Sequence, residues 1–188
     1  MHPEWELLGE TISSGATTTI VTGLYPGATS RALLIQVSIP SFSTGAEFGL
    51  RFNRDGESNY GYKVINNGAN DLREITHTGN TQGELSLIEN QDGVGITKAV
   101  SAEISIPNNT ASLKKLVWWK AIEESTTTST TFPTTFDGAG LWNNTASQIN
   151  TVEIYTCGAS SSGSELCPAT SVATFGVGTR ITVYGSRP

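Results

Sequence analysis

The sequence predicts an all-β protein, an antiparallel sandwich or barrel of about nine strands. Three observations predict it. Apolar and polar residues alternate with period two in most ordered-looking segments. Turn-forming dipeptides separate those segments. Only 15% of residues are charged, and Ser, Thr, Asn and 20 Gly fill the space that Ala, Glu, Lys and Leu occupy in helical bundles.

Nine segments carry the pattern. Thr17 to Thr22 is a Thr-rich strand. From Arg31 to Ile39, Leu33, Ile35, Val37 and Ile39 share one face. From Glu47 to Phe52, Phe48, Leu50 and Phe52 oppose Glu47, Gly49 and Arg51. Tyr60 to Ile65 and Glu84 to Glu89 follow. From Val100 to Ile106, Val100, Ala102, Ile104 and Ile106 alternate with Ser101, Glu103 and Ser105. Ser112 to Ile122 carries the adjacent Trp118 and Trp119. Thr151 to Thr156 places Val152 and Ile154 opposite Glu153 and Tyr155. Arg180 to Tyr184 places Ile181 and Val183 opposite Arg180, Thr182 and Tyr184. Such alternation marks strands with one buried and one solvated face. Pro26-Gly27, Asp55-Gly56, Asn67-Gly68, Asp92-Gly93 and Asp137-Gly138 read as the turns.

The 188 residues fit one domain, residues 11–188, preceded by a polar N-terminal arm at 1–10 that the fold does not need. Residues 124–140, ESTTTSTTFPTTFDGAG, read as a long Thr-rich surface loop pinned by Phe132 and Phe136. Met1 to Glu6 lack the basic start and apolar stretch of a secretory signal, so synthesis in a cytoplasm is expected. A net charge of −6 with no basic stripe argues against nucleic-acid binding. No apolar run approaches the ~18 residues of a membrane helix, so no membrane partner is expected.

Chemistry-bearing motifs are sparse. There is no G-x-S-x-G, no H-E-x-x-H and no phosphate loop. His77 falls in the turn-rich Glu74 to Asn80 and reads as solvated. The carboxylate pairs Asp55/Glu57, Asp71/Glu74, Glu89/Asp92 and Glu123/Glu124 are candidates for glycosidase acid/base work; surface charge is the preferred reading. Asn53 to Asn59 alternates oxygen side chains as a calcium site would, but a hairpin turn explains the same residues. Asn108-Asn109-Thr110 and Asn143-Asn144-Thr145 read as turn chemistry. Cys157 and Cys167 flank a Gly/Ser loop, and the residues admit either one disulfide or two free thiols. No catalytic residue, metal or cofactor is expected. Trp118 and Trp119, adjacent on a strand, must face opposite sides, one toward the core and one toward a contact or a sugar.

Trp5-Glu6-Leu7-Leu8-Gly9-Glu10, the hairpin Leu50-Arg51-Phe52-Asn53-Arg54-Asp55-Gly56-Glu57-Ser58-Asn59-Tyr60, and the closing Gly178-Thr179-Arg180-Ile181-Thr182-Val183-Tyr184-Gly185 together resemble small all-β structural proteins of tailed bacteriophages. The resemblance covers both ends and the first third of the chain. It implies a jelly-roll-like sandwich and a non-enzymatic virion protein, foremost a capsid decoration (cement) protein made in the host cytoplasm. Its partners would be the major capsid protein or other virion proteins, and copies of itself in a homo-oligomer such as a trimer. The contact residues expected are Trp5, Glu6, Leu7, Trp119, Phe132, Phe136 and Trp142. The alternative is a tail-fibre or receptor-binding module that stacks glycans on Trp119 or Trp142. In the hairpin, Arg51 is expected to pair with an outer carboxylate such as Glu47, while Asn53 and Asp55 fix the turn.

Overall fold

The computed structural model describes residues 4–24, 30–67, 72–82, 84–88, 98–124, 133–158 and 173–186. Among them run twelve strands: β1 (Trp5–Ile12), β2 (Thr19–Gly23), β3 (Leu33–Ile39), β4 (Ala46–Phe52), β5 (Tyr60–Asn67), β6 (Leu72–Gln82), β7 (Leu85–Ile88), β8 (Val100–Ile106), β9 (Lys115–Glu123), β10 (Thr134–Trp142), β11 (Thr151–Gly158) and β12 (Arg180–Ser186). All nine expected strands are present. The three extra ones are β1, β6 and β10.

The strands form two antiparallel sheets, β1-β12-β3-β8-β9-β10-β5-β6 and β2-β11-β4-β7. The pairings β1·β12, β2·β11, β3·β8 and β4·β7 nest one inside another. A long antiparallel ribbon rolled into two four-stranded sheets gives this nesting, so the core of the fold is a jelly roll. Two hairpins are inserted into it. β5–β6 interrupts the path from β4 to β7, and β9–β10 the path from β8 to β11. They join through β10·β5 and extend the larger sheet beyond β8.

The core lies between the sheets. Leu33, Ile35, Val37, Ile104 and Ile106 of the larger sheet face Phe48, Leu50, Phe52, Val152 and Ile154 of the smaller. Trp142 packs on Phe52 (5.5 Å between centroids) and stacks on Tyr60 (6.4 Å, 16°). Trp119 packs on Tyr62, and its Nε1 donates to the Leu87 carbonyl at 3.0 Å, tying the two sheets together. This satisfies the only donor of a buried indole.

Several expectations change. Residues 1–10 are no separate arm from Trp5 on: β1 is the first strand of the jelly roll, with Leu8 in the core. A bulge at Leu8 breaks its alternation. The Thr-rich stretch becomes strand from Thr134, and Asp137-Gly138 lies mid-strand in β10, not in a turn. Gly138 is there because its partner Trp119 occupies the space; a Cβ would stand 2.1 Å from the ring. His77 lies on β6 opposite Tyr62 rather than in a loop. Asp55-Gly56 does turn the chain, from β4 into β5. Pro26-Gly27 and Asp92-Gly93 lie outside the described residues.

Candidate docking face

The outward face of the larger sheet is assembled by register. One row runs Leu7, Tyr184, Leu34, Ser105, Trp118, Ala139 across β1, β12, β3, β8, β9 and β10. The next runs Glu10, Thr182, Gln36, Glu103, Lys120, Asp137. The third runs Ile12, Arg180, Ser38, Ser101, Ile122, Thr135. Trp5, Leu7, Ile12, Leu116, Trp118 and Ile122 are the large apolar side chains that described strands expose, and all six stand on this face. The other exposed ones, Leu113 and Val177, sit in loops.

β9 is the informative strand. Hydrophobicity alone would bury Leu116, Trp118 and Ile122. The structure instead buries Lys115, Val117, Trp119, Ala121 and Glu123, and leaves Leu116 49%, Trp118 49% and Ile122 42% exposed. The strand turns two ionisable residues inward and three large apolar ones outward. A strand has only two phases, and Trp119 in the cavity over Gly138 with its bond to Leu87 fixes this one.

Each inward charge has a local consequence. Lys115 Nζ donates to the Asn144 carbonyl at 2.9 Å and to that of Ser147, and lies 5.3 Å from the Trp142 ring centroid. Burial lowers its pKa. Burial also pushes the Glu123 carboxyl up to about 7. Glu123 faces inward and Glu124 outward, so that pair cannot work on one substrate.

The face carries shallow relief. A depression of about 480 Å³ is lined by Leu34, Glu103, Ser105, Trp118, Lys120 and Asp137. A second, of about 360 Å³, adjoins it through Glu103 and reaches Arg180 and Thr182. Lys120 stands 3.8 Å from Asp137. At the β1 end, Glu10 accepts hydrogen bonds from Arg180 Nε (2.9 Å) and Thr182 Oγ1 (3.2 Å). The Arg180 bond holds the Glu10 carboxyl below its usual range. The charge between Leu7 and Ile12 is thereby paired.

The expected contact residues divide. Trp5 (42% exposed) and Leu7 (48%) face solvent, and Glu6 is half-buried beside them. Trp119, Phe136 and Trp142 are buried and cannot be surface contacts or sugar platforms. The large rings were wanted by the core: Phe136 and Trp142 come from the inward face of β10, a strand whose glycines hid its alternation. Phe132 lies outside the described residues. So does Cys167, and Cys157 is described only as backbone at the end of β11, so the cysteine question lies outside them too. Sequence reasoning missed Trp118, Glu103, Lys120 and Asp137 as neighbours on one face.

The Asn53 to Asn59 stretch is architecture. Asn53 (φ 53°) and Arg54 (φ 58°) make the turn. Asp55 Oδ2 accepts from Trp142 Nε1 (2.7 Å) and Asn59 Nδ2 (3.0 Å), and its Oδ1 from the Glu57 N–H (3.0 Å). Burial alone would raise the Asp55 pKa, but the Trp142 and Asn59 bonds outweigh it and hold it low. Asn53 Oδ1 accepts from the N–H groups of Asn150 and Thr151. Arg51 pairs with Glu84 at 2.6 Å, not with the buried Glu47 as expected, because β7 brings Glu84 alongside β4.

No protein-family model and no curated protein matches the chain. Among solved structures it is weakly similar to a protein of unknown function with a galectin-like fold from Bacillus subtilis, at 8% identity and a TM-score of 0.15, covering 98% of this chain and 91% of that one. It is similarly weakly alike to the infectious bursal disease virus Gx strain structure, at 9% identity and a TM-score of 0.14, covering 100% of this chain and 41% of that one. Scores this low carry no argument, and the fold rests on the strand pairing itself.

Proposed function

We propose that this chain is a non-enzymatic structural protein of a virus particle, a decoration protein that docks on the major capsid protein of a bacteriophage head. It is made in the host cytoplasm and ends in the virion. The observation that carries the reading is β1: an edge strand that holds Trp5, Leu7 and Ile12 (55% exposed) out toward solvent, with Glu10, the carboxylate between Leu7 and Ile12, already paired to Arg180. Edge strands normally blunt themselves with unpaired charge or Pro, and outward apolar side chains on one mark a surface that a partner covers. The jelly roll supports the reading as analogy only, since viral shells and lectins both use it. Asp55, a member of one of the four carboxylate pairs, is held by Trp142 and Asn59, which favours structure over catalysis.

The test is co-sedimentation of the purified chain with capsids assembled without it. The Trp5→Ser/Leu7→Ser double variant should keep the wild-type melting temperature and lose binding. Undiminished binding by that variant would remove the reading. A second reading, glycan recognition, moves from the buried Trp119 and Trp142 to the depression beside Trp118, whose volume lies within the ~300–1,000 Å³ of small-ligand sites. A glycan array with a Trp118→Ala control separates it from the first.

A further inference from the structure

We propose that two copies of this chain pair face to face through β9 and β10, about a two-fold axis that runs along the strands between them. The starting point is the phase of β9. Leu116, Trp118 and Ile122 stand in solvent while Lys115 and Glu123 are buried. This is the arrangement of a strand with a second apolar layer to meet.

The register says what that layer is. β9 and β10 pair Leu116 with Leu141, Trp118 with Ala139, Lys120 with Asp137 and Ile122 with Thr135 on the outward face. An axis parallel to the strands and midway between β9 and β10 carries each of these residues onto its neighbour's position in the facing copy. Leu116 then meets the second copy's Leu141, Trp118 meets its Ala139, and Lys120 meets its Asp137, with every contact made twice. The large ring falls on the smallest outward side chain, Leu116 falls on Leu141, positive falls on negative, and Ile122 falls on the β-branched Thr135. An isologous interface requires this self-complementarity. Lys120 and Asp137 are 59% and 54% exposed, so both can reach across. The patch is flanked on β8 by Ser105, which is small, and by Glu103, which neighbours Lys120 within its own copy.

Four outward rows over four strands cover on the order of 500 Å² per copy at ordinary sheet spacings. Two copies therefore bury about 1,000 Å² in total, the lower bound for a specific interface. The sheets' own twist sets aligned layers roughly 30° apart, which keeps the central rows in contact. β9 lies four strands from β1, about 19 Å away, so this pairing leaves the β1 patch accessible. It holds whether or not the protein belongs to a virus particle.

The experiment is sedimentation velocity of the full chain, with melting curves as the folding control. The wild type should form a dimer with a dissociation constant on the order of micromolar. Lys120→Glu and Asp137→Lys each place like charges opposite one another twice, and each should weaken the dimer about tenfold or more. An equimolar mixture of these two variants restores both ion pairs across the interface, though each variant alone carries like charges within its own ladder. The mixture should therefore recover a heterodimer at wild-type strength. A wild type that stays monomeric to about 100 µM overturns the proposal, and a glycan bound to that monomer through Trp118 would name the occupant as sugar. An oligomer unmoved by either variant, or a mixture that fails to recover, overturns it as well.

Discussion

Replacing Asp55 by Ala tests how the hairpin between β4 and β5 is held. Its Oδ2 takes the indole N–H of Trp142 at 2.7 Å and the amide of Asn59 at 3.0 Å, and its Oδ1 takes the Glu57 N–H. Trp142 is fully buried, and the Asp55 carboxylate is the acceptor its indole N–H uses. A charge-assisted bond to a buried donor contributes about 1.5–3 kcal/mol, and the two more exposed bonds about 0.5 kcal/mol each. Asp55→Ala should therefore cost about 3 kcal/mol, which for a chain of this length lowers Tm by roughly 6–12 °C. Glu57→Ala, two residues further along the turn and exposed, should cost under about 0.5 kcal/mol. The Asp55 pKa is depressed in the folded state, so this stabilisation is present above the unfolded-state value near 4 and is lost as pH falls through the folded one. Urea melts of both variants at pH 7 and pH 3 measure it. An Asp55→Ala cost within 0.5 kcal/mol of the Glu57→Ala cost, with ~0.5 kcal/mol being the surface noise level, would refute the clasp.

Three further outcomes follow from buried groups. Glu123 titrates near 7 rather than 4.5 because burial disfavours its charge; stability is full below the unfolded value and falls as pH rises toward the folded one, by about 2 kcal/mol after allowance for solvent screening. Glu123→Gln should flatten that loss between pH 5 and pH 8 in thermal melts, and an unchanged slope would contradict it. Lys115→Met strands the Asn144 and Ser147 carbonyls and should cost about 2 kcal/mol, with earlier protease cleavage within 143–150 as the local readout. Gly138→Ala drives a methyl into the Trp119 ring and should cost about 3 kcal/mol; Trp119→Phe in the same chain should recover part of it, and a cost that the second change leaves intact would point elsewhere.

The jelly roll was legible where one face of a strand is wet and the other dry. β3 and β8 alternate in both sequence and burial, while β4 and β12 alternate in sequence although the structure covers most of both their faces. β10 was hidden by Gly138 and Gly140, which are small so that Trp119 and Leu85 can come close. β1 was hidden by its bulge at Leu8 and by outward apolar residues. β6 reads as a polar stretch, as an edge strand can. The nesting of β1 with β12 and β2 with β11 joins opposite ends of the chain, and no local pattern encodes it. Of the candidate face, Trp5 and Leu7 were found from their position in a terminal motif. Trp118 was within reach, since two adjacent Trp must face apart, but its direction depends on the pocket over Gly138 and on the Leu87 carbonyl. Local hydrophobicity points the opposite way at β9, and such a conflict between levels is where function is to be sought.

The decoration role proposed above requires the chain to cover a capsid as a repeated element of its shell. The most direct measurement is the number of copies of the chain in purified particles, by quantitative mass spectrometry against the major capsid protein. The proposed role requires hundreds per particle, in a fixed ratio to the capsid protein. A handful per particle, or none, would contradict it.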